Sequence, residues 1–300
     1  RALRGQYPPG STLKPFIGLA GLEYKMTTAS ESIRCHGYYT LENDERRYRD
    51  WKKEGHGETS LDRAIVESCD VYFYDLALTL QIDRMESYLA RFHMGRPTGI
   101  DILGEESGLL PGKDWKRRVH RLPWFPGETL ITGIGQGFTL TTPLQLAHIT
   151  AQLGSRGKRY KPHVVHAIRE PGDEELFVQP PVADGAVQIE KPENWEMVIR
   201  SMVNVVHSAR GTARSINRNL AYKIAGKTGT AQVFGMKADE EYDAEKIAKK
   251  LRDHALFIAF APAENPEIAV AVIVENGGGG GAVAAPIARQ IMDAYLSGKT

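Results

Sequence analysis

The 300 residues carry 38 Lys+Arg against 37 Asp+Glu, a formal net charge of +1, with 42% hydrophobic and 25% charged residues. This is the composition of a globular chain able to bury a sizeable core; it excludes intrinsic disorder, fibre and the basic footprint of a nucleic-acid binder, so no nucleic-acid partner is expected. The longest apolar runs, 255–261 and 268–274, are strand-length and far short of the roughly 18–20 residues of a membrane span, so any anchor is expected outside this sequence, which opens at Arg1 and reads as an excised fragment.

In chain order, Tyr7-Pro8-Pro9-Gly10 reads as a turn, followed by a helix over 12–25 with Ser11 as N-cap and Pro15 in its first turn. Ser11 and Lys14 then share one face. Residues 32–57 are polar, aromatic and aperiodic and read as a long excursion. The pattern predicts helices over 61–67, 71–80 and 83–92, the last closed by Gly95, while 99–137, rich in Gly and Pro, reads mostly as loop. A helix with Thr142 as cap and Pro143 at its first position runs to Gly154. Another begins at Pro192, with Trp195, Val198, Ile199, Met202 and Val206 on one face. Strands follow over 221–233, 255–261 and 268–275, the last two so uniformly apolar that both faces should be covered. A flexible link over 277–281 leads to an amphipathic helix over 283–296 with Ile287, Ile291 and Ala294 on one side. Helices, then sequential strands, then a helix predict an α+β fold: an antiparallel sheet flanked by helices on both faces, in one domain over 1–300.

Three short patterns stand in order: Ser11-Thr12-Leu13-Lys14, Ser68-Cys69-Asp70 and Lys227-Thr228-Gly229-Thr230. Each alone is weak. Ser155 and Lys158 form a second S-x-x-K, readable as a solvated helix exit, and S-x-[ND] recurs at Ser60 and Ser215, with Ser60 placed to cap a helix. Context separates the first set, because Ser11 opens a helix, Ser68 joins two helices and Lys227 lies in an apolar strand. A serine hydroxyl is a poor nucleophile until a base removes its proton, and a lysine one helical turn on can do so only as the neutral amine. Bringing a lysine from about 10.4 to about 7–8 sets roughly 4 kcal/mol against the charged form, which burial and a second cation such as Lys227 both favour. Gly229 leaves a side chain out where a bound peptide would lie along the strand.

These patterns, with Tyr7-Pro8-Pro9-Gly10-Ser11-Thr12, Gly133-Ile134-Gly135-Gln136-Gly137, Arg210-Gly211-Thr212-Ala213 and Lys227-Thr228-Gly229-Thr230-Ala231-Gln232, resemble the penicillin-binding protein and serine β-lactamase superfamily, in particular its monofunctional class B transpeptidases. Arg47-Tyr48-Arg49-Asp50-Trp51-Lys52-Lys53 with Gly55-His56-Gly57, and the long insertion over 233–254, are similar to the elongation type. The resemblance implies that family's transpeptidase fold, lacking here the N-terminal part of the domain, the pedestal and the membrane anchor. It implies a location on the periplasmic face of the bacterial inner membrane. The implied reaction crosslinks peptidoglycan: Ser11 attacks the carbonyl between the last two D-alanines of a stem peptide, and Lys14 accepts its proton. Ser68 relays a proton to the leaving amine, Asp70 orients the lysine and the incoming peptide, and Lys227 fixes Ser68 and favours anions. Thr228 and Thr230 hold the terminal carboxylate beside Gly229, and the backbone N–H groups of Ser11 and Thr230 form an oxyanion hole. Implied partners are stem peptides, β-lactam antibiotics, a membrane glycan polymerase and elongation-complex proteins; no catalytic cofactor is implied. Asp70 departs from the commoner Asn, and an ionised carboxylate near Lys14 favours the ammonium. The alternatives are a D,D-carboxypeptidase or β-lactamase, for which 99–137 offers no convincing deacylating glutamate, and a non-catalytic penicillin sensor.

The two cysteines, Cys35 and Cys69, bracket Asp50 and His56. Cys, Asp, His and Cys make a tetrahedral zinc set, and a long polar loop without its own core gains from such a clip. A disulfide or buried free thiols are the alternatives, and His36 competes as ligand. The run 45–53 reads as a solvated loop, and 243–254, with Ile247 and Leu251 four apart, as a helix packed on the domain. His93, His120, His148 and His207 have no motif partners and receive no role.

Overall fold

The structure, a computed structural model, describes residues 1–172, 175–232 and 252–298. The helix expected around Ile247 and Leu251 lies outside these residues. The chain enters its core through a 3-10 turn, Gly10–Leu13, that runs directly into α1 (Lys14–Glu23). Ser11 is therefore inside a turn rather than capping a helix. Gly10 makes this turn feasible: its φ is +55°, and a Cβ there would meet the Thr230 carbonyl oxygen at 2.6 Å. From Lys14 to Gly21 every residue of α1 is buried, so it is a central helix, and its one lysine is carried into a dry environment.

The expected excursion over 32–57 contains four strands: β1 (Ser32–Cys35), β2 (Tyr38–Thr40), β3 (Arg47–Arg49) and β4 (Gly57–Ser60). β1 pairs antiparallel with β4, and β2 with β3. Strands of three or four residues are too short for a period of two to emerge from charged sequence. The run 45–53 is likewise not a uniformly solvated loop, since Tyr48 and Asp50 are buried.

α2 (Leu61–Val66) starts at Ser60, whose side chain accepts from the Arg63 amide as expected of a cap. α3 (Asp70–Ala90) joins the two helices expected over 71–92 across a bend at Gln81, where φ is +65°. The stretch 99–137 holds α4 (Lys113–His120) and α5 (Pro126–Gly133) rather than loop alone. α4 buries Lys116 on Glu128 of α5, an ion pair that a hydropathy pattern does not reveal. α6 (Pro143–Gly154) opens with the reciprocal Thr142–Gln145 capping box.

β5 (Lys158–Lys161), β6 (Ala167–Ile168), β7 (Phe177–Val178) and β8 (Val182–Ala186) form two small ladders, β5 with β8 and β6 with β7. α7 (Glu193–His207) buries the stripe that its spacing predicts. β9 (Ala225–Ala231), β10 (His254–Ala261) and β11 (Ile268–Val274) form an antiparallel sheet in the order β11-β10-β9, with Lys227 opposite Ile258 and Thr230 opposite Ala255. Helices flank this sheet on both faces; β10 is buried from Ala255 to Ala261. Among the described residues β9 has a strand partner on one side only. α8 (Ala284–Ser297) closes the fold on Ala284, Ala285, Ala288 and Met292, leaving Ile287 and Ile291 39% and 44% exposed. The expected face of this helix was the isoleucine side; close approach of a helix to a sheet favours the alanines.

Candidate active site

Ser68 is the hub of a buried polar cluster. It sits between α2 and α3 with φ +59°, in the left-handed region that non-glycine residues adopt uncommonly. Lys14 Nζ lies 2.8 Å from the Ser68 carbonyl oxygen, 3.3 Å from Ser68 Oγ and 2.7 Å from Asp70 Oδ1. From the strand, Lys227 Nζ donates to Ser68 Oγ at 2.9 Å and to the Thr228 carbonyl at 3.0 Å. Both lysines are fully buried. Because the two amines occupy its lone pairs, the Ser68 hydroxyl keeps its own hydrogen for a third group. The three sequence patterns, far apart in the chain, thus converge on one oxygen.

Electrostatics divide the cluster. Burial, and then the charge of Lys14, push Lys227 well below the usual lysine range. Burial pushes the Asp70 carboxyl up, against the opposing pull of Lys14.

The 3-10 turn that carries Ser11 is seated by its neighbours. Gly10 N donates to the Gly135 carbonyl at 2.8 Å, and Thr12 Oγ1 to the Pro9 carbonyl at 2.6 Å. A Cβ on Gly229 would meet Thr12 Cγ2 at 2.7 Å and Pro9 O at 3.2 Å. The missing side chain at Gly229 therefore lets the turn press against β9; the space is filled by protein rather than left for a ligand. Thr230 Oγ1 belongs to the one exposed residue of β9, and the Thr230 carbonyl accepts from Gln136 Nε2 at 2.9 Å. Thr228 Oγ1 lies 2.8 Å from Thr212 Oγ1.

Three residues here have no role in the sequence reading. Gln136 and Thr212 lie in quoted motifs but carry no chemistry visible without the fold. Trp51 lies in the quoted 47–53 run but carries no role there; its indole N–H donates to the carbonyls of Glu67 and Ser68, each at 3.2 Å.

Next to Ser68 lies a second buried set. Cys35, Asp50, His56 and Cys69 each present a ligand atom, all within 4.8 Å of one another. Cys35 Sγ is 3.7 Å from both Asp50 Oδ2 and His56 Nδ1, and His56 Nδ1 is 3.6 Å from Asp50 Oδ1. Ligands about 2.0–2.3 Å from a tetrahedral zinc are about 3.3–3.8 Å apart, so the spacings among Cys35, Asp50 and His56 and the four donor types fit such an ion, with the full set spread over up to 4.8 Å. Both cysteines are free thiols, so the disulfide alternative is not formed. Burial would raise the Asp50 carboxyl, but hydrogen bonds from His56 and the Lys52 amide outweigh it and hold the group below the usual carboxylate range. Burial and the Asp50 charge push the Cys69 thiol up. Asp50 Oδ2 also accepts from the Asp70 and Val71 amides at 2.8 and 3.1 Å, capping the start of α3. The set is thereby fastened to the Ser68 junction.

Comparison with known proteins places this geometry. Residues 1–293 match the family of the penicillin binding protein transpeptidase domain. The chain is 44% identical, over 99% of its own length and 45% of the relative's, to the peptidoglycan D,D-transpeptidase MrdA of Haemophilus influenzae. It superposes on Pseudomonas aeruginosa PBP2 in complex with WCK 5153 with a TM-score of 0.86 at 46% identity, over 99% of this chain and 60% of that one. Against PBP2 in its complex with MreC from Helicobacter pylori the TM-score is 0.85 at 31% identity, over 100% of this chain and 51% of that one. The chain spans about half the length of the curated relatives it matches.

Proposed function

Because the chain belongs to the penicillin-binding protein transpeptidase family, we propose that residues 1–300 are the catalytic domain of a peptidoglycan D,D-transpeptidase of the elongation type. Ser11 Oγ attacks the carbonyl carbon between the last two D-alanines of a stem peptide while its proton passes to Lys14. The oxyanion that forms lies between the backbone N–H groups of Ser11 and Thr230, a contribution of about 3–4 kcal/mol in comparable sites. Collapse breaks the C–N bond, and the Ser68 hydroxyl relays the proton from Lys14 to the departing D-alanine amine. An amine of a second stem peptide then attacks the ester, which restores the Ser11 hydroxyl and leaves a crosslink. Asp70 orients Lys14; Lys227 holds Ser68, and Thr228 and Thr230 receive the terminal carboxylate. A β-lactam acylates Ser11 and stays, because its leaving group remains tethered.

The observation that carries this reading is the Ser68 oxygen, held at once by Lys14 at 3.3 Å and Lys227 at 2.9 Å. Intact-protein mass after penicillin treatment should show one stable adduct on Ser11, and lipid-linked peptidoglycan strands should yield dimeric muropeptides. Rapid turnover of the adduct would overturn the reading in favour of a β-lactamase, and an adduct without crosslinks in favour of a sensor.

The four-residue Cys/Asp/His set supports a structural zinc held by Cys35, Asp50, His56 and Cys69. When bound, the ion would supply cross-bracing and no chemistry to the acyl transfer. Cys69 directly follows Ser68, so the brace would keep the hub in place. No described helix is long and apolar enough to cross a membrane. We assign the domain to the periplasmic face of the inner membrane, where its substrate lies, with an anchor supplied by another part of a longer protein. Partners from the elongation complex, a glycan polymerase among them, follow from the relatives, one of which is known in complex with MreC.

A further inference from the structure

A cavity of about 720 Å³ opens beside the hub, walled by Trp51, Arg63, Glu67, Arg210, Thr212 and Ser215. It reaches the catalytic groups at two points. Thr212 Oγ1 is 2.8 Å from Thr228 Oγ1, and the Trp51 indole is bonded to the Ser68 carbonyl at 3.2 Å. Neither Thr230 nor Gln136 lines it.

Its chemistry is one-sided. Lys52, Arg63, Arg210 and Arg214 face a single carboxylate, Glu67. Arg63 Nε takes Glu67 Oε1 at 2.7 Å, and Arg210 reaches the same oxygen only at 3.5 Å, with its side chain 69% exposed. The cavity thus keeps cationic donors for an incoming anion. Trp51, 61% exposed and tethered by its N–H, adds a fixed apolar wall.

We infer that this cavity is the subsite for the acceptor strand, taking a peptide amine that carries carboxylates on an aliphatic spacer. The inference rests on the proposed acyl transfer, which sets the direction. With the scissile carbonyl at the Thr230 amide and the terminal carboxylate at Thr228, the leaving residue lies toward Thr228 and hence toward Thr212. The amine that resolves the ester must arrive where the leaving amine departed, beside the Ser68 hydroxyl. The cavity begins on that side, at Thr212 bonded to Thr228 and at Trp51 bonded to the Ser68 carbonyl. Arg210 is a specificity residue in this scheme; it touches the acceptor's carboxylate and none of the reacting atoms.

Two probes test it: a short peptide amine with two free carboxylates, and its twin with both amidated. Calorimetric binding to the unacylated protein should favour the dicarboxylate by at least about tenfold, and Arg210→Glu should erase that preference while Arg210→Lys restores most of it. In crosslinking, Arg210→Glu should raise KM for the dicarboxylate by a similar factor with little change in kcat, and leave the KM of the twin alone. The ratio between twins within one variant is insensitive to the folded fraction. Equal binding of the two peptides by the unaltered protein, or a preference that survives Arg210→Glu, overturns the inference. If the dicarboxylate binds selectively but penicillin never acylates Ser11, it is the acyl transfer that fails, and the cavity stands as a carboxylate site alone.

Discussion

Two buried polar clusters meet at residues 68–70, and they are held together differently. Lys14, Ser68, Asp70 and Lys227 satisfy one another directly, with contacts of 2.7–3.3 Å. Cys35, Asp50 and His56 stop at 3.6–3.7 Å from one another. Buried polar groups are normally paired, so the first cluster is complete as protein and the second has the spacing of ligands around a centre. The first converges on one oxygen, Ser68 Oγ. The second braces the backbone that carries that oxygen, through Asp50 at the start of α3.

The sharpest way to break this division is to remove the proposed nucleophile. Ser11→Ala should lower acylation by penicillin at least about a thousandfold, with no adduct by mass, while melting temperature stays close to that of the unaltered domain. An adduct of normal rate would place the chemistry elsewhere. Removing a ligand tests the second cluster. Cys35→Ser should drop zinc from one per chain to near zero, lower stability by about 3 kcal/mol and slow acylation by about 10–100-fold as Ser68 loosens. Elemental analysis that finds two free thiols and no zinc in the unaltered domain would end the idea.

Asp70→Asn is a smaller change, because the amide keeps an acceptor for Lys14. Acylation should stay within about tenfold, and a thousandfold loss would show that the carboxylate itself is required. The smallest effect concerns pH. Lys227 binds its proton less readily folded than unfolded, so the unfolded chain holds more protons in the window between the lowered value and the ordinary one near 10.5. Stability should therefore rise with pH across that window, and Lys227→Met should flatten the rise in denaturant midpoints.

Much of the active site was legible because three patterns fall in a fixed order on recognisable supports: a turn, a helix junction and an apolar strand. The stripe of α7 and the capping box of α6 were legible for the same reason, their signals being local. What escaped depends on contacts between distant segments. The ladders over 32–60 are too short to show a period, and the face of α8 is decided by how closely alanines approach the sheet rather than by the most apolar residues. α4 holds a buried lysine, which a composition reading assigns to solvent. Gly229 was expected to make room for a ligand, yet its space belongs to Thr12 and Pro9, neighbours from the opposite end of the sequence. Thr212 and Trp51 acquire meaning only once Thr228 and Ser68 are beside them.

The bond from Gln136 to the Thr230 carbonyl has an implication of its own. An open sheet border is a standing invitation to stray strands, and a glutamine amide across its backbone shields the protein from unwanted self-association. A peptide adding to β9 at that carbonyl must give the amide back to solvent. It trades one hydrogen bond for another, so docking there tightens the resting complex little and leaves the gain for the moment of bond-making.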